Sequence, residues 1–310
     1  VLFIAGDEYQ RARALSYETT YQRNVFSSSL AGRYNPVKRL KLILQARQTV
    51  VTGTTTIPEF TAGATYLLSG NGKHVIKASM SRNSKLACLN DLYWVPGGNP
   101  DLMPERSAGG EAGYSFLTVA PSGMRNSVDI TLHASRVNDL IQWVPGETGL
   151  WSAENVSSVN ISGIEGRVGV ELPVNEGNIN TYINYAFTRS VVASSDLPDD
   201  PSQGKQLIYT PLHLLNFNTN GRWKFVRAGI TAAYESRRYT NSDNSEWLPD
   251  AFLADANLGV VLKIRKSLVT VDLKVNNIFN TSFESVQYYP MPLRTYTLKM
   301  KFAFSGRNKD

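Results

Sequence analysis

Apolar and polar residues alternate with a period of two along much of this chain, most plainly near its end. In LVTVDLKV, Val269, Val271, Leu273 and Val275 are apolar, and Thr270, Asp272 and Lys274 between them are polar. The run TYTLKMKFAF repeats the pattern, with Tyr296, Leu298, Met300, Phe302 and Phe304 set against Thr297, Lys299 and Lys301. Successive side chains of a strand point to opposite faces, so the alternation predicts a hairpin with one apolar and one polar face. The wall of a membrane barrel needs that division, lipid on one side and water on the other. A soluble sandwich alternates the same way.

The rest of the chain favours the barrel. The pattern predicts strands over 24–34, 39–51, 59–69, 74–87, 106–119, 127–143, 160–174, 179–194, 207–219, 225–241, 249–264, 268–280 and 293–304, with the end of another inside 1–20. The alternation is imperfect in RLKLILQARQTVV, where Ile43 joins the polar set, and weaker in FVRAGITAAYESRRY. Short turns at 35–38, 70–73, 175–178 and 265–267 alternate with long loops around 52–58, 88–105, 144–159, 195–206, 242–248 and 281–292. Tight turns at one end and long loops at the other are the outer-membrane arrangement, with the turns periplasmic. Glycines inside strands, such as Gly109, Gly113 and Gly163, weaken a flat sheet and suit a curved wall. No repeat, low-complexity segment or linker divides the chain, so residues 1–310 are read as a single all-β domain, an antiparallel up-and-down transmembrane barrel. An odd strand count would leave the two termini at opposite ends. Either residues 1–20 make the count even or further strands precede Val1, and the second is the expectation.

Composition narrows this little. Of 310 residues 42% are hydrophobic, an average that a polar-lined barrel shares with a soluble protein, and no run approaches the roughly 18 apolar residues of a membrane helix. The 15 Tyr, 12 Phe and 5 Trp suit interfacial girdles. The formal charge of +6 is scattered over polar faces and turns and forms no block of the kind that binds nucleic acid. The single Cys88 rules out an intrachain disulfide. The opening VLFIAGDEYQ has no basic region or cleavage site, so the chain reads as a mature segment or a fragment of an exported protein.

Four blocks resemble one family. After the fourth predicted strand, Asn99, Pro100, Asp101, Leu102, Pro104 and Glu105, then Glu111 and Gly113, match the TonB-dependent outer-membrane receptors. The arginine-containing box that family carries just upstream is replaced here by Ser84, Lys85, Leu86 and Ala87. Asn155, Val156, Gly163 and Glu165 form a second block, Pro211 and His213 a third, and Asn277, Phe279, Asn280, Tyr289, Pro290, Pro292 and Arg294 the closing hairpin. The stretches NDLYW and PGGNP, with DLIQW and the later Trp151, Ala153, Glu154 and Asn155, are most similar to the cobalamin-receptor subgroup. The resemblance implies the C-terminal portion of a barrel of about 22 strands, with about 13–14 of them and no plug domain in this chain. It also implies a place in the bacterial outer membrane, a small nutrient as ligand, TonB engaged through a plug segment outside this chain, lipid around the wall, and in some members a surface lipoprotein. The nutrient expected first is cobalamin and second a ferric siderophore. No cofactor or enzymatic activity is implied.

Loops on a rigid wall are where recognition is expected. The 88–105 loop offers Asn90, Asp91, Tyr93 and Trp94, and the 144–159 loop offers Trp143, Trp151 and Asn155; aromatic faces beside amides suit a large, flat, polar-rimmed ligand. The competing roles are structural, with Asn99-Pro100-Asp101 and Pro145-Gly146 shaping turns and the tryptophans packing loop on loop. Asp91, Asp101 and Glu105 are the carboxylates a calcium ion would use, without the spacing of a dedicated calcium loop. Lys41, Arg47, Lys77, Lys274, Lys299 and Lys301 are basic candidates for the lumen, where they would steer an anion or pair with Asp272 or Glu111. His74, His133 and His213 lie outside the 88–105 loop, which argues against haem. Two rival classes remain. His133 beside Ser135 is the one close pair a hydrolase would need, without a nucleophile-elbow signature, and a passive porin fits the architecture without the motifs.

Overall fold

The computed structural model describes residues 1–51, 54–145, 149–195, 200–264 and 267–304. Its elements run β1 (Leu2–Ala12), β2 (Tyr21–Val37), β3 (Leu40–Val51), β4 (Thr54–Thr55), β5 (Glu59–Leu67), β6 (His74–Lys85), α1 (Leu89–Tyr93), β7 (Glu105–Val119), β8 (Arg125–Pro145), β9 (Trp151–Val174), β10 (Gly177–Ser194), β11 (His213–Trp223), β12 (Val226–Glu235), β13 (Arg238–Tyr239), β14 (Trp247–Leu248), β15 (Ala251–Ile264), β16 (Ser267–Asn276), β17 (Glu284–Val286), β18 (Tyr289–Pro290) and β19 (Thr295–Phe304). The long strands pair antiparallel in one meander, β1-β2-β3-β5-β6-β7-β8-β9-β10-β11-β12-β15-β16-β19. That sheet is the barrel wall. β1 and β19 are its two edges, and among the described residues they do not pair with each other. Among the described residues no helix is long and apolar enough to cross a membrane.

The register assigns every side chain of the wall to a face. Asp272 stands opposite Lys299 while Val271 faces Met300 and Leu273 faces Leu298, so the runs LVTVDLKV and TYTLKMKFAF lie with apolar against apolar. Carried through the ladder, the same parity puts Ile230, Leu258, Ile183, Ile164, Leu132, Met80 and Leu44 on one face, and Arg227, Asn218, Arg167, Asp129, Glu111 and Lys77 on the other. The apolar side chains are largely uncovered, Leu44 at 66% and Met80 at 58%. Water penalises such a surface at about 25 cal/mol per Å², whereas lipid does not. This face is therefore the outer one and the polar face lines the lumen. Ile43, the exception in its run, lies on the polar side.

Inward charges pair across strands, as a water-lined but partly desolvated surface favours. Arg227 grips Asp272 with two nitrogens, and Gly259 lies beneath that pair, where a Cβ would meet Arg227 Nε at 2.8 Å. Lys274 Nζ lies 3.3 Å from Asp255, and Arg125 reaches Glu171 at 3.7 Å.

Nearer the long-loop end the faces exchange character. Of the buried apolar residues there, Val25, Val51, Val137, Ala153, Val159 and Val192 sit at inward positions and Ala254 at an outward one, while the polar residues Asn138, Glu154 and Asn160 point outward. Above the apolar band the outer face meets water and the inner face packs.

Several boundaries differ from the sequence expectation. A strand at 2–12 makes the wall strands among the described residues even in number. Asn35, Pro36 and Val37 belong to β2, which is irregular between Tyr34 and Val37, and the turn is Lys38-Arg39. Turns at 120–124 and 224–225, with Gly123 at φ 83° and Lys224 at φ 51°, join strands that the pattern left apart. β8 and β9 run far into the predicted 144–159 loop. Conversely β11 begins at His213 rather than 207, and the preceding segment bends back to β10, with Leu207 N donating to Ser190 O at 2.8 Å. The turn expected at 265–267 and the Pro145-Gly146 turn fall partly outside the described residues.

Candidate functional site

The 86–104 connection is built around α1, a single turn too short for periodicity to reveal. Asp91 Oδ2 accepts the backbone N–H of Cys88 at 2.9 Å, the half of a capping box that reaches back to the helix start. Asp91 Oδ1 accepts Trp143 Nε1–H at 3.0 Å, fastening the helix to β8. Burial works to raise the Asp91 carboxyl, but hydrogen bonds from Cys88 and Trp143, with Lys85 nearby, hold it below the usual carboxylate range. The chain after α1 turns tightly: Gly98 N donates to Trp94 O at 2.6 Å and Asn99 N to Asp91 O at 2.7 Å. Gly97, at φ 112°, presses on the wall, where a Cβ would collide with the Trp151 carbonyl oxygen and lie 3.0 Å from Trp143 Cζ3. Its own carbonyl accepts Ala153 N at 2.7 Å.

Aromatic rings gather on the other side of the helix. Tyr21 and Tyr93 stack with centroids 3.7 Å apart, Tyr17 stands edge-on to both Tyr21 and Trp94, and the Tyr17 hydroxyl donates to Asn90 Oδ1. Val95 N also bonds Ser16 O at 2.8 Å. The 13–20 and 86–104 segments thus form one aromatic platform, with Trp94 39% exposed. Tyr17 and Tyr21 belong to it and were not singled out in the sequence, since contact between residues more than seventy positions apart leaves no local signal.

The expected site residues divide accordingly. Asn90, Asp91 and Tyr93 are on α1 and Trp94 caps its end. Trp143, Trp151 and Asn155 are not loop residues: they lie in the β8–β9 ladder, where Trp151 pairs with Pro145, Trp143 with Ala153 and Asn155 with Ile141. The long polar extensions of those strands replace the predicted loop. Asn155 accepts Met103 N at 2.9 Å and donates to Met103 O at 3.1 Å and Asp139 O at 2.7 Å, so its amide holds the NPDL segment down. Trp151 faces Tyr209 at 5.8 Å between centroids, bringing the segment before β11 to the same region. Asn90, Asp91, Trp143 and Asn155 hold the segments together; of the rings, Trp94 is exposed, while Tyr93 and Trp151 are half-buried against Tyr21 and Tyr209.

The remaining candidates are scattered. Glu105, buried, takes Lys85 Nζ at 3.0 Å and Ile141 N at 3.1 Å, apart from the Asp91 cap; among the described residues no group of three or more His, Cys, Asp or Glu side chains converges. The six basic candidates all lie at inward positions. His133 projects over Gly163, where a Cβ would lie 2.7 Å from its Nε2, and the paired Gly is what admits the ring. A second loop junction went unnoticed in the sequence: Arg238, buried, donates to the carbonyls of Glu284 and Ser285 at 3.0 and 3.2 Å and pairs with Glu235 at 3.0 Å.

A meandering wall with an apolar outer band, a polar inner face and packed loops at one end defines part of a transmembrane β-barrel. The sequence comparison is specific within that class. Residues 3–278 match the family described as TonB dependent receptor-like, beta-barrel, and the chain belongs to it. The vitamin B12 transporter BtuB of Photobacterium profundum is 24% identical over 235 residues, 74% of this chain and 35% of that protein. The BtuB of Vibrio vulnificus (strain YJ016) is 37% identical over 90 residues, 28% of this chain and 14% of that protein. Among solved structures, the copper transporter OprC gives a TM-score of 0.71 at 13% identity, covering 98% of this chain and 54% of the other. The ferric citrate transporter FecA in the unliganded form gives 0.68 at 12%, covering 90% and 45%. At such identities these likenesses show the fold alone. The chain spans about a third of the Photobacterium relative and about half of the solved chains.

Proposed function

We propose that this chain is wall and loop surface of a bacterial outer-membrane receptor that binds cobalamin at its long-loop end and, driven through TonB, passes it to the periplasm. The observation that carries this reading is the vitamin B12 transporters among its relatives, one of them aligned over 74% of the chain. The aromatic platform supports it physically, because flat rings on a scaffold of satisfied amides offer contact area to a large planar ligand at little entropic cost. No chemistry on the ligand is needed. A surface lipoprotein over the loops and a calcium ion among loop carboxylates are compatible extensions.

The test is binding of cyanocobalamin, haem and a panel of ferric siderophores to the full-length protein in detergent. Cyanocobalamin is expected to bind, and Trp94→Ala or Trp151→Ala to weaken it by roughly 10–100-fold, the cost of an aromatic anchor. Failure of cobalamin with binding of a siderophore would replace the ligand and keep the class. One observation favours that second reading: Lys41, Lys77, Lys299 and Lys301 point inward and, among the described residues, make no ion pair, leaving positive charge for an anionic chelate.

A further inference from the structure

Charge is nearly absent from the outer face, and where it occurs it is concentrated. Among the described residues of the wall strands, the register places Asp, Glu, Lys or Arg at seven outward positions: Asp7 and Arg11 on the edge strand β1, and on the strands after it Glu154 and the four arginines Arg82, Arg106, Arg136 and Arg189. The four arginines occupy β6, β7, β8 and β10. Arg82 and Arg136 share one cross-strand row through Ala108, two strand spacings or about 10 Å apart. Arg189 lies one row nearer the short turns, in line with Ala134 and Ser162. Arg106 lies one row nearer the loops and is neutralised by Asp139. The other three have no carboxylate partner among the described residues; Arg136 is steadied by Ser158 Oγ at 3.0 Å from its Nη2.

Their height is informative. The three lie eight to twelve residues beyond the first residues of their strands. For strands tilted at about 45° this is about 20–28 Å above the turn end, the upper rim of an apolar band about 25 Å tall. Directly below them on the same face come Met80, Ala134 and Phe187, and above them polar positions such as Ser84 and Asn138. An outward arginine at the bilayer midplane costs about 2–4 kcal/mol and little at the interface. The row therefore sits where headgroups begin, with guanidinium forks suited to bidentate contact with phosphate oxygens.

We propose that Arg82, Arg136 and Arg189 form a lipid-docking patch on the outside of the barrel that binds the phosphates of lipid headgroups in the leaflet at the long-loop end; this rests on the membrane placement above, not on the nutrient. Each interfacial cation contributes roughly a fivefold factor, so removing three costs about a hundredfold. The test is native mass spectrometry of the full-length protein in detergent with diphosphorylated lipid A, with the same lipid dephosphorylated, and with inorganic phosphate as competitor. The diphosphorylated lipid is expected to bind about a hundredfold more tightly than its dephosphorylated form and to resist displacement by inorganic phosphate. The triple substitution Arg82→Gln, Arg136→Gln, Arg189→Gln abolishes the difference, whereas the inward Lys299→Gln leaves it intact. The three single substitutions, each expected to cost about fivefold, carry the test if the triple variant does not fold. Equal binding of the two lipids, displacement by inorganic phosphate, an unchanged affinity in the Arg variants, or an equal loss in Lys299→Gln would overturn the proposal. Cobalamin binding by the arginine variants is expected to be unaffected, which separates this result from that of the nutrient test.

Discussion

Substitution of Gly97 by alanine tests how the aromatic platform is held. Gly97 adopts φ 112°, a region used almost only by glycine, where a side chain costs on the order of 1–3 kcal/mol. Its added methyl would also collide with the Trp151 carbonyl and come within 3.1 Å of the Trp151 carbonyl carbon. Both are backbone of a paired strand and cannot rotate aside, so overlap adds about 1–3 kcal/mol. The cheapest relief is for the turn to lift from the wall, breaking the bond from Ala153 N to Gly97 O, itself worth about 1 kcal/mol. A local penalty of about 3 kcal/mol would raise the open population about a hundredfold. Hydrogen–deuterium exchange of the full-length protein should then show peptides covering 89–104, and the Ala153 amide, exchanging about a hundredfold faster, with wall strands such as β15 unchanged. Gly149→Ala is the control, because Gly149 has φ 76° but nothing within 4 Å of a Cβ; it should loosen only its own turn. If Gly97→Ala exchanges like the unsubstituted protein, or no faster than Gly149→Ala, the docking argument is wrong.

Two further outcomes follow from the loop junctions. The Asp91 carboxyl is held below its ordinary value in the folded loop, so its stabilising contribution is present above the unfolded value of about 3.9 and is lost as pH falls through the folded value. Exchange in 86–104 should accelerate below about pH 4, and Asp91→Asn should flatten that dependence while loosening the loop at neutral pH; a pH profile identical in both proteins would contradict it. Arg238→Met removes donors from two carbonyls and one carboxylate in a buried setting, a loss of about 3 kcal/mol. It should free the β17–β18 hairpin in limited proteolysis without altering cleavage in the 86–104 connection.

What the sequence disclosed, and where it failed, follows from one physical fact. Within the apolar band each strand has lipid on one side and water on the other, so residues such as Val271 and Leu273 announce both the strand and its orientation. Beyond the band that contrast vanishes. In WSAENVSSVN the buried apolar residues Ala153 and Val159 point inward and the exposed polar residues Glu154 and Asn160 outward, a reversal that a single apolar stripe cannot represent, and the stretch reads as loop. The family blocks drew attention to the 86–104 connection and its neighbours, yet Trp143, Trp151 and Asn155, expected in a loop, lie in strands. α1 escaped because its five residues are too few for a 3.6 period, and because the cap pattern begins with Cys88 rather than serine or threonine. Tyr17 and Tyr21 escaped because only the meander brings them beside Tyr93 and Trp94.

The reversal of faces along β9 also makes this strand a ruler. A polar residue introduced at the outward positions Ile164 or Val168 meets hydrocarbon and should impair insertion, whereas at Asn160 or Glu154, with the same parity, polarity is already the native state. A scan of alternate positions would change sign where the chain leaves the bilayer. Adjacent outward positions along a tilted strand differ in height by about 5 Å, so a growth or folding assay could locate the membrane surface on this protein to within one such step.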